Sequence, residues 1–157
     1  MKVSHQPRSI DLAEVKGCML LRVRRLARRA ATIYDRRLEP AGLTISQFGL
    51  MAQIQGTSRG GGTGPSIGVV AERFGMDPTT LNRALKPLVT QAWVKIETDP
   101  ADRRAKILSI TAKGRAKLAQ ALPLWREAEA EVEAAIGVDT KREVSRLIDL
   151  ATDRLAE

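Results

Sequence analysis

Two helix-start signals lie so close together between Ser66 and Thr90 that the chain has little freedom in how it packs there. In SIGVVAERFGMDPTTLNRALKPLVT, Ser66 caps a short helix that carries Ile67, Val70, Ala71 and Phe74 inward. Gly75 supplies the left-handed residue that ends it. A second helix then starts at once: Asp77 is its cap, Pro78 its first residue, and Met76 is set to staple onto Leu81. Ala71 and Gly75 are small enough for the helices to cross closely, which is what a DNA-reading helix-turn-helix requires. An ordinary pair of packed helices with a solvated polar face fits the same residues, so the following segment carries the decision.

That segment reads as a hairpin. WVKIET, residues 93–98, and AKILSI, residues 105–110, alternate in strand fashion around DPADRR, a turn with two adjacent arginines. A recognition helix leading into a basic two-stranded wing is a winged helix-turn-helix. On the second helix Thr79, Thr80, Asn82, Arg83 and Lys86 point outward. Asn82 and Arg83 suit bidentate contacts to adenine and guanine, and the others suit base edges or phosphates. Ser66 joins them at the start of the first helix, and Arg103 and Arg104 at the wing tip suit a narrow minor groove. The competing reading of the tip is a solvated loop in which the two arginines pair with Asp99 and Asp102.

Charge supports an anionic partner. The 157 residues hold 26 Lys and Arg against 18 Asp and Glu, a net charge of +8, and the excess is uneven. Residues 1–39 carry 10 basic and 4 acidic groups, 40–56 none, 57–115 carry 10 and 5, and 116–157 carry 6 and 9. A basic middle and an acidic end suggest that one part meets a polyanion and another meets protein. The same composition excludes much chemistry. One Cys and one His, His5 in a polar tail, permit no intramolecular disulfide, thiol pair, multi-His metal site or His-based triad. No metal, cofactor or enzymatic activity is expected. The N-terminus lacks an apolar signal segment and no long apolar run occurs, so a cytoplasmic protein with no membrane partner is expected. The stretch 56–66, GTSRGGGTGPS, reads as a flexible connector, since the strand and Gly-Lys-Ser/Thr ending of a phosphate loop are missing.

The two ends of the chain read as helices in need of partners. Helical spacing of Leu12, Val15, Met19, Val23, Leu26, Ala30 and Ile33 predicts a first helix from about Asp11 to Leu38, stopped by Pro40. Thr44 with Gln47, and Leu43 with Phe48, mark the start of a second helix running to about Gln55. Thr111 caps a long helix that Pro123 should kink, and Asp139 caps a last one. The acidic run Glu127, Glu129, Glu131 and Glu133 alternates around that long helix and reads as a solvated face. The expected fold is therefore mainly α with a small β-hairpin wing. Residues 1–40 and 111–157 form a helical dimerisation domain, and 41–110 a winged helix-turn-helix. The competing arrangement of the ends is an intramolecular bundle in a monomer.

Three segments, CMLLRVRRLARRAATIYDRRLEPAGLTISQFGLMAQI, SIGVVAERFGMDPTTLNRALKPL and DPADRRAKILSITAKGRAKLAQALPLW, resemble the MarR (multiple antibiotic resistance regulator) family of bacterial transcription factors. The wing followed directly by a Thr-x-x-Gly helix start is the more specific part. The resemblance implies a homodimer that binds a palindromic operator on double-stranded DNA, represses neighbouring genes, and leaves DNA on binding a small phenolic or aromatic-acid ligand between its two parts. It implies DNA contacts from Thr79, Thr80, Asn82, Arg83, Lys86, Arg103 and Arg104. The family wing often reads Asp-x-Arg-Asp-x-Arg; here Asp99, Asp102 and Arg104 match, whereas Ala101 stands for the first Arg, which shifts weight to Arg103 and Arg104.

Two further readings stay open. Arg22, Phe48, Met51 and Trp93 suit a mixed apolar and cationic cleft for an aromatic carboxylate, and each fits equally a core or surface position. Some members of the family sense organic peroxides through a first-helix Cys, a place that Cys18 occupies beside Arg22; Cys18 is equally a small packing residue, and Tyr34 is the only Tyr available to support a thiolate. The alternatives to a ligand-released repressor are thus a peroxide-sensing repressor using Cys18 or, in another class, a non-specific architectural nucleic-acid-binding protein.

Overall fold

The computed structural model describes residues 15, 17–57 and 64–156. Six helices and one hairpin follow in the order α1 (Met19–Leu38), α2 (Ile45–Thr57), α3 (Ile67–Arg73), α4 (Pro78–Thr90), β1 (Val94–Thr98), β2 (Lys106–Ile110), α5 (Ala112–Ile136) and α6 (Val138–Leu155). The fold is mainly α with a two-stranded antiparallel wing. No described helix is long and apolar enough to cross a membrane.

The local signals act as their chemistry requires. Pro40 sits in a single 3-10 turn, Glu39–Ala41, and Gly42 closes it with φ 63°. At the start of α2 the Thr44 hydroxyl accepts the N–H of Gln47 at 3.3 Å, while the Gln47 side chain accepts the N–H of Thr44 at 3.0 Å, so two orphan helix donors are satisfied reciprocally. Ser66 caps α3 through Val69 N–H, and Gly75 turns the chain at φ 58°.

The core lies in the middle of the chain. Leu81, Leu85 and Leu88, one stripe of α4, are fully buried against Met51 and Ile54 of α2, Val70 of α3 and Leu108 of β2. In the hairpin, Val94 pairs with Ile110 and Thr98 with Lys106. Ile107 and Leu108 are adjacent yet both buried, contrary to simple alternation. The cause is a third edge: the Leu108 N–H donates to the Pro65 carbonyl at 2.9 Å and Ser66 bridges Ile107. The connector expected over 56–66 is thus shorter than its composition suggests, since Gly56 and Thr57 belong to α2 and Gly64–Ser66 run beside β2. Residues 58–63 lie outside the described residues, as do His5 and the helix start expected at Asp11. Among the described residues α1 begins at Met19, and Cys18 before it is extended, with ψ 119°.

Two expectations for the C-terminal helices need correction. The last helix is capped by Gly137, whose φ of 83° lets one residue both end α5 and start α6, and Asp139 lies inside the first turn, paired with Arg142 at 3.0 Å. The acidic run is not a solvated face. Residues four apart share one side of a helix, so Glu127 and Glu131 face Arg37 of α1 together, and Glu129 and Glu133 face Lys141 of α6. Arg36 also grips Glu131, and the Tyr34 hydroxyl donates to Glu129. Alternation along α5 thus serves two neighbours at once. The helix itself continues through Pro123 as one element.

Burial raises the pKa of Tyr34, and its hydrogen bond to Glu129 and the charge of that carboxylate raise it further. For Glu129, burial opposes ionisation, but hydrogen bonds from Lys141 and Tyr34 outweigh it and hold the carboxyl below its usual range.

α5 joins the winged unit by a backbone contact. Thr111 accepts the Gly114 N–H at 2.9 Å and donates to the Ala92 carbonyl at 2.7 Å. A Cβ on Gly114 would stand 2.1 Å from the Trp93 carbonyl oxygen, so the Thr-x-x-Gly spacing combines a cap with the one residue that fits. The Gly114→Ala variant is expected to lose about 2 kcal/mol or more of stability, because backbone on both sides must move apart; chemical denaturation measures it. As the only Tyr, Tyr34 also permits a clean test by ultraviolet titration. Its tyrosinate signal should develop only well above pH 10, the ordinary range, until the chain unfolds. The stability its neutral form confers is complete below about pH 10 and is lost as pH rises further.

Candidate nucleic-acid interface

α4 is built to present one polar face. Its leucines, Leu81, Leu85 and Leu88, take the core side, which leaves Thr79, Asn82, Arg83 and Lys86 exposed on the other. The Asp77 carboxylate accepts the Thr80 N–H at 2.9 Å, and the Thr80 hydroxyl donates to the same carboxylate at 2.6 Å. These bonds, the hydroxyl's first, hold the Asp77 carboxyl below its usual range. They also restrict Thr80: with its proton given to Asp77, it offers an outer partner an acceptor and a methyl group. Phosphate oxygens are acceptors, so among these residues Thr79, Asn82, Arg83 and Lys86 are the ones with protons to donate.

The wing turn is shaped by its own acids. Asp99 accepts the Ala101 N–H at 2.8 Å and Asp102 the Arg104 N–H at 2.9 Å, while the Ala105 carbonyl accepts from Asp99 N–H at 3.0 Å. Arg103 and Arg104 are exposed, and neither guanidinium is paired with a carboxylate among the described residues. Asp99 and Asp102 therefore fold the turn instead of neutralising its arginines. Ser66 is half-buried and its hydroxyl serves as the α3 cap. The recognition helix and wing thus carry an unneutralised set of donors on rigid supports.

Of the four residues expected around a ligand, three are packed in the core and Arg22 stands on the surface. Met51 is fully buried, Phe48 stacks on Trp125 with ring centroids 6.0 Å apart, and Trp93 is buried beneath Lys117, whose ammonium lies 5.5 Å from the ring centre. Arg22 is exposed on the first half of α1. The described cavities lie elsewhere: about 280 Å³ behind the recognition helix, between Leu50, Phe74, Met76 and Pro87, and about 400 Å³ at the α1–α2 junction, between Asp35, Glu39, Leu43 and Gln47. Core packing explains the difference, since an apolar residue that suits an aromatic ligand suits an aromatic neighbour equally. Cys18 is half-buried and precedes α1, so Tyr34 lies about 24 Å away along the helix in the same chain.

Sequence reasoning missed the Tyr34–Arg37 turn, where four successive polar side chains each hold another element. Only the i,i+4 pairing of the four glutamates hinted at it.

A capped helix-turn-helix, a basic wing on the same core and a pair of flanking helical ends define a winged-helix DNA-binding transcriptional regulator. The chain belongs to the MarR family, whose model matches residues 41–105, and that family comprises regulators and not enzymes. It is similar to the transcriptional regulator MosR of M. tuberculosis, solved in complex with DNA: 36% identity over 87% of this chain and 97% of that one, with a TM-score of 0.72. It shares its fold with a cysteine-to-serine mutant of MarR from E. coli bound to operator DNA, at 19% identity, 90% and 99% coverage and a TM-score of 0.77. Bordetella bronchiseptica BpsR, whose DNA binding is regulated by 6-hydroxynicotinic acid, matches at 19% identity, 92% and 98% coverage and a TM-score of 0.74. No curated protein matches the sequence.

The Asp77 cap generates a pH test. Its carboxyl is held below the usual range, so its contribution is complete above about pH 4 and is lost as pH falls through the lowered value. Thermal unfolding should show Asp77→Ala less stable than the unsubstituted chain at pH 7, with the gap closing as the pH is taken towards 3.

Proposed function

We propose that the chain is a cytoplasmic, homodimeric repressor that binds a palindromic operator, with Thr79, Asn82, Arg83 and Lys86 in the major groove and Arg103 and Arg104 in the minor groove. Thr80 and Ser66 assist as helix-terminal contacts. The observation that carries the dimer is α6: an 18-residue helix in which no residue is buried, with Leu147 and Ile148 exposed by 47% and 43%. The first half of α1 likewise exposes Met19, Leu20, Val23 and Leu26. An amphipathic helix derives its stability from burying its apolar face, and a contiguous patch of this kind suits a protein partner. A second copy offers the same two stripes, and two-fold symmetry would set two recognition helices about 34–36 Å apart. Residues 1–40 and 111–157 are then the dimerisation domain and 41–110 the DNA-binding unit. Release by a small aromatic acid is proposed on the likeness to BpsR.

Fluorescence anisotropy on duplexes from a random pool, with sedimentation of the free chain, tests this reading. Arg83→Ala should weaken specific binding by about 1–3 kcal/mol and relax the preference at one base position, while Arg104→Ala should lower the salt slope by about one. Equal affinity for scrambled duplexes would instead support a non-specific architectural protein, and a monomer in sedimentation would support an intramolecular bundle of the helical ends.

A further inference from the structure

Four consecutive residues, Tyr34–Arg37, lie just before the end of α1, and one of them reaches across the joint between the helical ends and the winged unit. Tyr34, Arg36 and Arg37 hold glutamates of α5, whereas Asp35 accepts the N–H of Ile45 at 2.6 Å, the first residue of α2. α2 already has its own capping box, Thr44 with Gln47. Asp35 therefore supplies a second cap from another element, and it does so with a half-buried carboxylate, a stronger acceptor than a neutral one. From the other side, the Lys117 ammonium of α5 donates to the Ala41 carbonyl at 3.1 Å. The short segment Glu39–Thr44 is thus held by α1 and by α5, with Ala41 and Leu43 buried in the core and an open hollow beside its polar side.

We propose that Asp35 is a positioning residue for operator recognition: through Ile45 it sets the angle at which the winged unit leaves α1, and so the spacing and relative rotation of two recognition helices. The inference rests on the dimeric, palindrome-binding reading above. Rigid spacing matters because one inserted base pair turns a half-site by about 35° and moves it by about 3.4 Å. A pair of helices held at fixed separation cannot follow that change, whereas a loosened joint can.

The experiment uses the full chain and the palindromic duplex it selects from a random pool, together with the same duplex carrying one or two base pairs inserted at its dyad, and a duplex with one half-site. The unsubstituted chain should bind the one-base-pair insertion weaker by on the order of tenfold. For Asp35→Ala that penalty should fall below about threefold, with half-site affinity unchanged, and Asp35→Asn, which keeps an oxygen acceptor, should restore most of it. Circular dichroism checks that each variant is folded. Should Asp35→Ala not fold, Asp35→Glu decides, since its longer side chain should change the penalty. A folded Asp35→Ala, or failing that Asp35→Glu, with the full spacing penalty overturns the proposal. An equal loss of affinity on every duplex, spacing preference intact, also overturns it and marks Asp35 as a purely stabilising cap. No spacing preference in the unsubstituted chain overturns the dimeric reading itself, and the proposal with it.

Discussion

The arrangement depends on one close backbone contact. Gly114, in the first turn of α5, lies against the carbonyl of Trp93 at the start of the wing, where a single added methyl has no room. Thr111 holds the same place by capping α5 and bonding back to Ala92. Because Trp93 lies between the recognition helix and the wing and α5 is long, this contact fixes the direction in which α5 leaves the winged unit. Contacts between backbones are stiff, since no side chain can rotate to absorb a change. The wing, the recognition helix and α5 are therefore positioned with respect to one another at this point.

A second set of constraints is electrostatic and lies at the other end of the same helix. The four glutamates of α5 divide between Arg36 and Arg37 on one side and Lys141 on the other, with Tyr34 completing the set. Single exposed pairs contribute little to stability. Several sharing the same charges across three helices fix orientation, and they do so where apolar burial is sparse. α6 has no buried residue and α1 has one, Leu38, so polar contacts carry much of the intramolecular arrangement there while the apolar stripes stay exposed.

On the exposed face of α4 and the wing, the polar groups fall into two sets by what they are already doing. Asp77, Thr80, Asp99, Asp102 and Ser66 are engaged in capping and turn formation. Asn82, Arg83, Lys86, Arg103 and Arg104 are exposed on the surfaces so made, and none has a side-chain partner among the described residues. The acids near the arginines thus shape the support without neutralising the charge above it, which answers the sequence-level question of whether the wing tip was a self-paired loop.

Much of this was legible in the linear chain because it depends on neighbours within four residues. Ser66, Gly75, Asp77, Thr44 with Gln47, and Thr111 act through local hydrogen bonds, so their types and spacing are sufficient to place the helices and the wing. Where local signals compete, sequence was not sufficient: Gly137 displaced Asp139 as the last cap, because a residue free to adopt φ 83° lets the two helices meet without a linker. Composition likewise misjudged Gly64–Ser66, whose partner, β2, lies over forty residues away in sequence. That Phe48, Met51 and Trp93 are packed in the core could not be read from residue type, since a core and an apolar cleft demand the same surface. The sequence by itself determined most of the elements, the polar face of α4 and the sign of its charge. Only the tertiary structure decided which glutamates meet which arginines and that Asp35 reaches α2, because those contacts join residues whose separation in the chain says nothing of their distance in space.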